Sequence, residues 1–404
     1  IGAITAGNVN DTITLKTGNN ISGADVTVSG ALSGSMNFQL INVGGTATFN
    51  NNVNVLSFST SNTVANVVFN GGSNTFQSAV SFSNDGTLTL GDFEGDSSTF
   101  NGGLTTTSVG GTVTLEGNIL TSNDAITLGA ININDGSTIN TNATSGTGDI
   151  TIGGAITSSS HALTLSTGNN IAGADITVSG NISGVTTLTL SNVGGTATLS
   201  GDVDVTTLTV GNTVANVAFT GNGSSVTNAV SFANDGTLTL GTSGGTQTYN
   251  GGLTTTSVGS TVTLNGTITT SNDAMTLGAA TLNGDINLGN ASFNVNGNVN
   301  IVIGGNITIT ALTGSVIDAT IDADNASSND RTLTFNLGNT GGVNASNLRV
   351  QRAVGSSQPL AGLTITQANS ISFDNSLNVS DGSNGTITIT DMGDGHNFHV
   401  QGNL

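Results

Sequence analysis

Gly110–Gly129 reads GGTVTLEGNILTSNDAITLG. Within it, TVTLEG and AITLGA each alternate apolar residues with Thr and stop at Gly. Alternation with a period of two marks a half-buried strand. Gly, Asn and Asp at the stops supply turn conformations at low steric cost. The same texture runs outward in both directions, through ITLKT, DVTVSG, TATFN, NVNVLSF, ANVVFN, AVSF, TLTLG and DITIGG. The pieces are short and closely spaced, most starting roughly 8–13 residues apart, the rhythm of a chain of short strands.

The composition supports an all-β chain. Of 404 residues, 59 are Gly and one is Pro, and charged residues make up 7%. Lys, Glu, Arg and Gln, which favour helices, are scarce, while Gly and small polar residues compete against helix. Val, Ile, Thr and Phe favour strands. With 35% hydrophobic residues, the chain can bury a core. Having only 14 Phe, one Tyr and no Trp, it predicts a core of small layers rather than one large aromatic centre.

Self-similarity is the strongest long-range signal. Thr14–Gly30 (TLKTGNNISGADVTVSG) matches Thr164–Gly180 (TLSTGNNIAGADITVSG) at 14 of 17 positions. VGGTAT recurs at Val43 and Val193, NTVANV at Asn62 and Asn212, and NDGTLTL at Asn84 and Asn234. NGGLTTTSVG at Asn101 and Asn250, and SNDA at Ser122 and Ser271, recur one residue closer together than these. A single-residue indel, between DFEGDSSTFNGG and TSGGTQTYNGG, accounts for the change. Blocks 1–150 and 151–285 are therefore two copies, each made of several smaller units. Residues 286–316 keep the strand rhythm, and 317–404 read as a divergent C-terminal segment or cap.

The spacing admits two architectures, a parallel β-helix (β-solenoid) rod and a tandem β-sandwich array. Short strands, few aromatics and recurring turn residues favour the solenoid, whose coils pair along their whole backbone. At about 20 residues per coil, the chain predicts about 20 coils and a rod near ~95 Å long. No strict consensus fixes the coil register.

Charge excludes several classes of function. The net charge of −20 arises because Lys and Arg total only four. Nucleic-acid binding is excluded for want of clustered cations. No apolar run reaches the length that a transmembrane segment needs. Without Cys, there is no disulfide framework or thiolate metal site. Beginning at Ile1, the chain is read as a processed protein or an excerpt of a longer one.

The candidate chemistry is sparse. Asp318, Asp322 and Asp324 (DATIDAD) share a strand face if the strand runs unbroken, an arrangement that could hold Ca²⁺, although no full calcium loop is present. Asp202 and Asp204 (GDVDV) form a carboxylate pair of the kind used by polysaccharide-active enzymes. The first copy has Asn52 and Asn54 there, which favours a plain surface strand. His396 and His399, beside Asp391 and Asp394, need a turn between them to share a metal. His161 reads as isolated and exposed. Arg349 and Arg352 could bind a carboxylate or fix the C-terminal segment through nearby Asp. The pairs Thr87/Thr89, Thr112/Thr114, Thr237/Thr239 and Thr261/Thr263 raise an ice-binding array, which their irregular spacing argues against. No nucleophile elbow or phosphate loop stands in supporting context. No catalytic, cofactor-binding or metal-binding residue is assigned.

The phrases GGTVTLEGNILTSNDAITLG, GDITIGGAITSSSHALTLST (Gly148–Thr167) and GNVNIVIGGNITIT (Gly297–Thr310) resemble filamentous-haemagglutinin-like exoproteins and autotransporter passengers of bacterial surfaces. The resemblance implies a right-handed parallel β-helix, secreted and displayed extracellularly as an adhesin or biofilm-matrix fibre. The reading that follows is a non-enzymatic stalk, fibre or adhesin segment with a host-cell or surface glycan or protein as ligand. A self-assembling filament stacking through its solenoid ends is the alternative, and a polysaccharide-active β-helix enzyme the weaker one.

Overall fold

The computed structural model describes all residues except 10, 145–147, 325–329, 339–345, 381–384, 393–396 and 404. Among these there is no helix, and every strand pairing is parallel. The strands stack into a β-solenoid of about 16 turns. Two compact units divide the chain: Ile1–Thr206 with Thr213–Asn216, and Thr207–Asn212 with Val217–Leu404.

In the first unit, three ladders of short strands surround the core. The first ladder runs through Val26–Val28, then 47–49, 67–69, 88–90, 113–115, 131–133 and 156–158. The second begins with Ile4–Ala6 and continues through 32–34, 53–55, 73–76, 97–100, 118–121, 137–140 and 163–166. Val80–Ser81 starts the longest unbroken run of the third, followed by 104–105, 126–128, 150–152, 176–178 and 197–199. Burial alternates along these strands as the pleat requires. In Leu88–Leu90 both Leu are buried while Thr89 is half-exposed.

Turn length is far less uniform than a fixed coil size would give. Val113 pairs with Ile131, whereas Ile4 pairs with Leu32, so the second of these turns is about half as long again as the first. The strands stay short, and the corners absorb the difference.

The duplication does not coincide with a whole number of turns. From Val26, the chain passes six further rungs of the first ladder, ending at Ile156. Ile176, the counterpart of Val26, then lands on the third ladder, paired with Ile150. The duplicated block is therefore six and two-thirds turns. Within this unit, matching residues of the two copies lie on faces one third of a turn apart.

Local geometry is nevertheless kept. Thr46 N donates to Asp25 Oδ1 at 2.7 Å, and Thr196 N donates to Asp175 Oδ1 at 2.7 Å. Asn20 and Asn170 both adopt φ 57°. Gly34 and Gly184 have positive φ, and a Cβ on either would stand 1.9 Å from the carbonyl oxygen of Ala6 or Ser158, respectively. Close approach of successive turns requires glycine at both positions.

The first unit contradicts the expectation of small core layers. Phe38, Phe49, Phe58, Phe69, Phe76, Phe82 and Phe100 are all buried and in mutual ring contact. Their separations in sequence are uneven, but the ladders bring them together.

In the second unit, one ladder runs Val217–Phe219, 238–240, 262–264, 280–282, 301–303 and 321–323. Another links Ile268, Ile286, Ile309, Phe335 and Ile365. The remaining ladder links Val230, Leu253, Met275 and Phe293, and continues through Val295, Ile317, Val350, Phe373 and Val400. Turn length varies here too: the turn from Val262 to Ala280 is little more than half as long as that from Ser315 to Leu348.

Candidate functional site

The three Asp of DATIDAD lie on or beside strand Ser315–Ala323, each with its own partners. Arg352 Nε donates to Asp318 Oδ1 at 2.7 Å. This bond, with the Arg352 charge, holds the half-buried Asp318 carboxyl below its usual range, and the Asn298 backbone N–H assists. Asp322 is 4% exposed and accepts backbone N–H bonds from Ser357 (2.9 Å) and Gln358 (3.4 Å). Asp324 is gripped by Arg331 through two 2.9 Å bonds, from Nε and Nη2. Such a fork matches a carboxylate in plane. The trio therefore ties loops to the strand instead of converging on one point. Among the described residues, no group of three or more His, Asp or Glu is arranged to hold a metal.

The cations follow the same pattern. Arg349 Nη2 lies 2.7 Å from Asp374 Oδ2, and this contact, with the Ser372 hydroxyl, lowers the Asp374 pKa. All three Arg are thus committed to Asp. This matches the reading that Arg349 and Arg352 fix the C-terminal segment.

Asp202 is half-buried and Asp204 exposed on the outer side of strand Val203–Val210, with Val203 and Val205 inside. Asp202 N donates to Asn181 Oδ1 at 3.0 Å. His161 corrects its expected isolation: Nδ1 lies 3.8 Å from Asp135 Oδ1, with each side chain about one third exposed. His396 and Asp394 lie outside the described residues. His399 is exposed and pairs in register with Ser372.

The T-x-T pairs stack despite their irregular spacing. Thr89 sits on Thr114, and Thr239 on Thr263 followed by Thr281. A longer file runs through Thr105, Thr127, Thr151, Thr177 and Thr198. Variable corners let residues at unequal separations share a file.

Several polar groups escaped sequence reading. Asn84 is fully buried, and its Nδ2 donates to the carbonyls of Ala65, Gly86 and Thr87. Thr121, Thr141 and Thr167 form an inward hydroxyl column. Thr121 Oγ1 donates to Asp124 O at 2.5 Å with Thr141 O 3.2 Å away, Thr141 Oγ1 donates to Gly148 O at 2.6 Å with Thr167 O 3.3 Å away, and Thr167 Oγ1 donates to Asn192 O at 2.7 Å. Both devices satisfy corner carbonyls that would otherwise be buried without partners.

The loop Gly91–Asp96 gathers acids. Asp96 Oδ2 accepts the N–H groups of Asp92 and Phe93, and Asp135 Oδ2 accepts that of Glu94. Desolvation, then Asp96, then the Glu116 charge raise the Asp92 pKa. Phe93 is 67% exposed at this loop. The lone indel between the copies marked the place, because the second copy has TSGGTQ there.

A shallow groove of about 390 Å³ is lined by Ser81, Gly102, Gly103, Thr105, Asp124 and Thr127 among others. Its polar groups supply no paired acid and base at hydrogen-bond range, and no nucleophile stands beside a base. What the described side chains build is turn-to-turn cross-bracing. No protein-family model, curated protein or solved structure matches the chain.

Proposed function

We propose that this chain is a non-enzymatic structural segment of a bacterial cell-surface protein, an elongated extracellular β-solenoid serving as stalk, fibre or adhesin. The observation that carries this reading is the use made of the polar side chains. Asn and Asp at the corners receive backbone N–H groups of the next turn, as at Asp25, Asp175, Asn66 and Asn118. Arg349–Asp374 and Arg352–Asp318 likewise join parts of the chain 25 and 34 residues apart. Chemistry that could serve catalysis is spent on holding one turn to the next. Such bracing suits a load-bearing spacer, and only four Lys and Arg leave trypsin-like proteases little to cut. The resemblance to haemagglutinin-like exoproteins points the same way. A ligand, if the segment has one, is a glycan or protein of a host cell or surface.

Electron microscopy of the purified chain, with and without EDTA, tests the reading. Separate elongated particles, unchanged by EDTA, support a stalk. Long uniform filaments would replace this function by self-assembly, and compact globules would remove the structural reading. Glycan cleavage that is lost on changing Asp202, Asp204, Asp322 and Asp324 to Ala would make the chain an enzyme.

A further inference from the structure

We infer that the aromatic-lined turns between Asn37 and Thr105 are the folding nucleus of this chain and its last part to open. Six of the seven Phe form one parallel stacked pair on each ladder, and Phe82 lies tilted at 44° against Phe58. Phe38 and Phe58 stack at 5.4 Å and 13°, Phe49 and Phe69 at 5.0 Å and 11°, and Phe76 and Phe100 at 4.7 Å and 8°. Edge-on contacts join the stacks across the core. Phe58 meets Phe49, Phe69 and Phe76, and Phe69 meets Phe76 and Phe82. Offset and edge-on ring pairs add stability beyond the area they bury.

Three arguments turn this cluster into a nucleus. Solenoid stability is close to a sum of turn and neighbour terms, so folding starts where those terms are largest and spreads from there. Each stacked pair of rings is separated by a single turn of chain, which keeps loop closure cheap. No other stretch of the described residues carries an equal cluster. The second copy keeps only Phe219–Phe232 at 5.9 Å and Phe232–Tyr249 at 6.4 Å. It also places Gln247, 1% exposed, in the core.

Pulse-labelled hydrogen exchange with mass spectrometry, during refolding from denaturant, tests the inference on the whole chain. Residues 37–105 are expected to gain protection first and, in the native state, to exchange last. Phe58→Leu introduces the residue that the second copy has at Leu208. It should slow refolding about tenfold with little change in unfolding rate, the signature of a nucleus residue. Phe219→Leu should leave refolding within about twofold of the parent and speed unfolding instead. Earliest protection elsewhere, or equal slowing by the two variants, would overturn the assignment. Should Phe58→Leu fail to refold, the order of exchange in the parent protein decides by itself.

Discussion

Residues 32–100 and their counterparts 182–249 follow the same sequence plan with different fillings. Phe38, Phe49, Phe58 and Phe76 are matched by Leu188, Leu199, Leu208 and Val226, and Phe100 by Tyr249. All are buried in both copies. The stretches that lead from corners into strands, in contrast, are kept letter for letter: VGGTAT, NTVANV and NDGTLTL occur in each. Ring or aliphatic chain, the filling suits the same strands. Register is therefore set by the corner residues that reach across turns, and core volume adjusts to it.

The largest effect should come from emptying the aromatic copy. Phe58→Ala removes a ring in contact with five others and should cost about 3–5 kcal/mol in denaturant unfolding. Leu208→Ala should fall in the lower half of the about 2–5 kcal/mol range for aliphatic truncation. Equal losses would erase the distinction between the copies.

Next come the glycines at close approaches. Gly34→Ala and Gly184→Ala place a methyl against backbone carbonyl oxygen at positive φ. Each should cost about 2–3 kcal/mol by thermal or chemical unfolding. The two losses should agree closely, because the corner geometry is shared although the cores are not.

Asn84→Ala removes three donated bonds to carbonyls, a loss of about 1–3 kcal/mol. Asn234→Ala, its counterpart, should behave alike, which extends the comparison to a buried polar corner.

The smallest effect belongs to the acidic loop that only the first copy has. The Asp92 pKa is raised in the folded state, so folding favours its protonated form. Its ionisation therefore opposes folding at neutral pH, and that penalty fades as pH falls through the raised pKa. Asp92→Asn should slightly stabilise the chain at pH 7 and leave stability unchanged near pH 3. A destabilised variant at pH 7 would show that the Asp92 charge is used favourably.

The all-β class and the stacked-coil architecture were legible in the sequence, since alternation and turn residues act locally. Strands such as Leu88–Leu90 and Ile150–Ile152 could be read directly from TLTL and DITIGG. Register could not, because it depends on where each corner closes. Corner lengths range widely enough that Val113 finds its partner at Ile131, whereas Ser315 finds its own only at Leu348, after a turn nearly twice as long. The aromatic cluster was hidden for the same reason. Seven Phe at uneven intervals look scattered until the ladders place them on three faces of adjoining turns. Among the candidate residues, the Arg–Asp ties were legible from charge and proximity. The scattering of Asp318, Asp322 and Asp324 among separate partners was not, because Ser357, Gln358 and Arg352 approach from a loop more than a turn further along the chain.

Because the chain has no cysteine, introduced pairs report unambiguously on register. Neighbouring rungs, about 4.8 Å apart, lie within disulfide reach. If the duplicated block spans six and two-thirds turns, Thr177 neighbours Thr151 on the third ladder, while Thr157 belongs to the first. Mild oxidation of Thr151→Cys/Thr177→Cys should close a disulfide, and Thr157→Cys/Thr177→Cys should stay reduced. Closure of the second pair in place of the first would contradict the three-ladder solenoid and the rotation of one copy against the other.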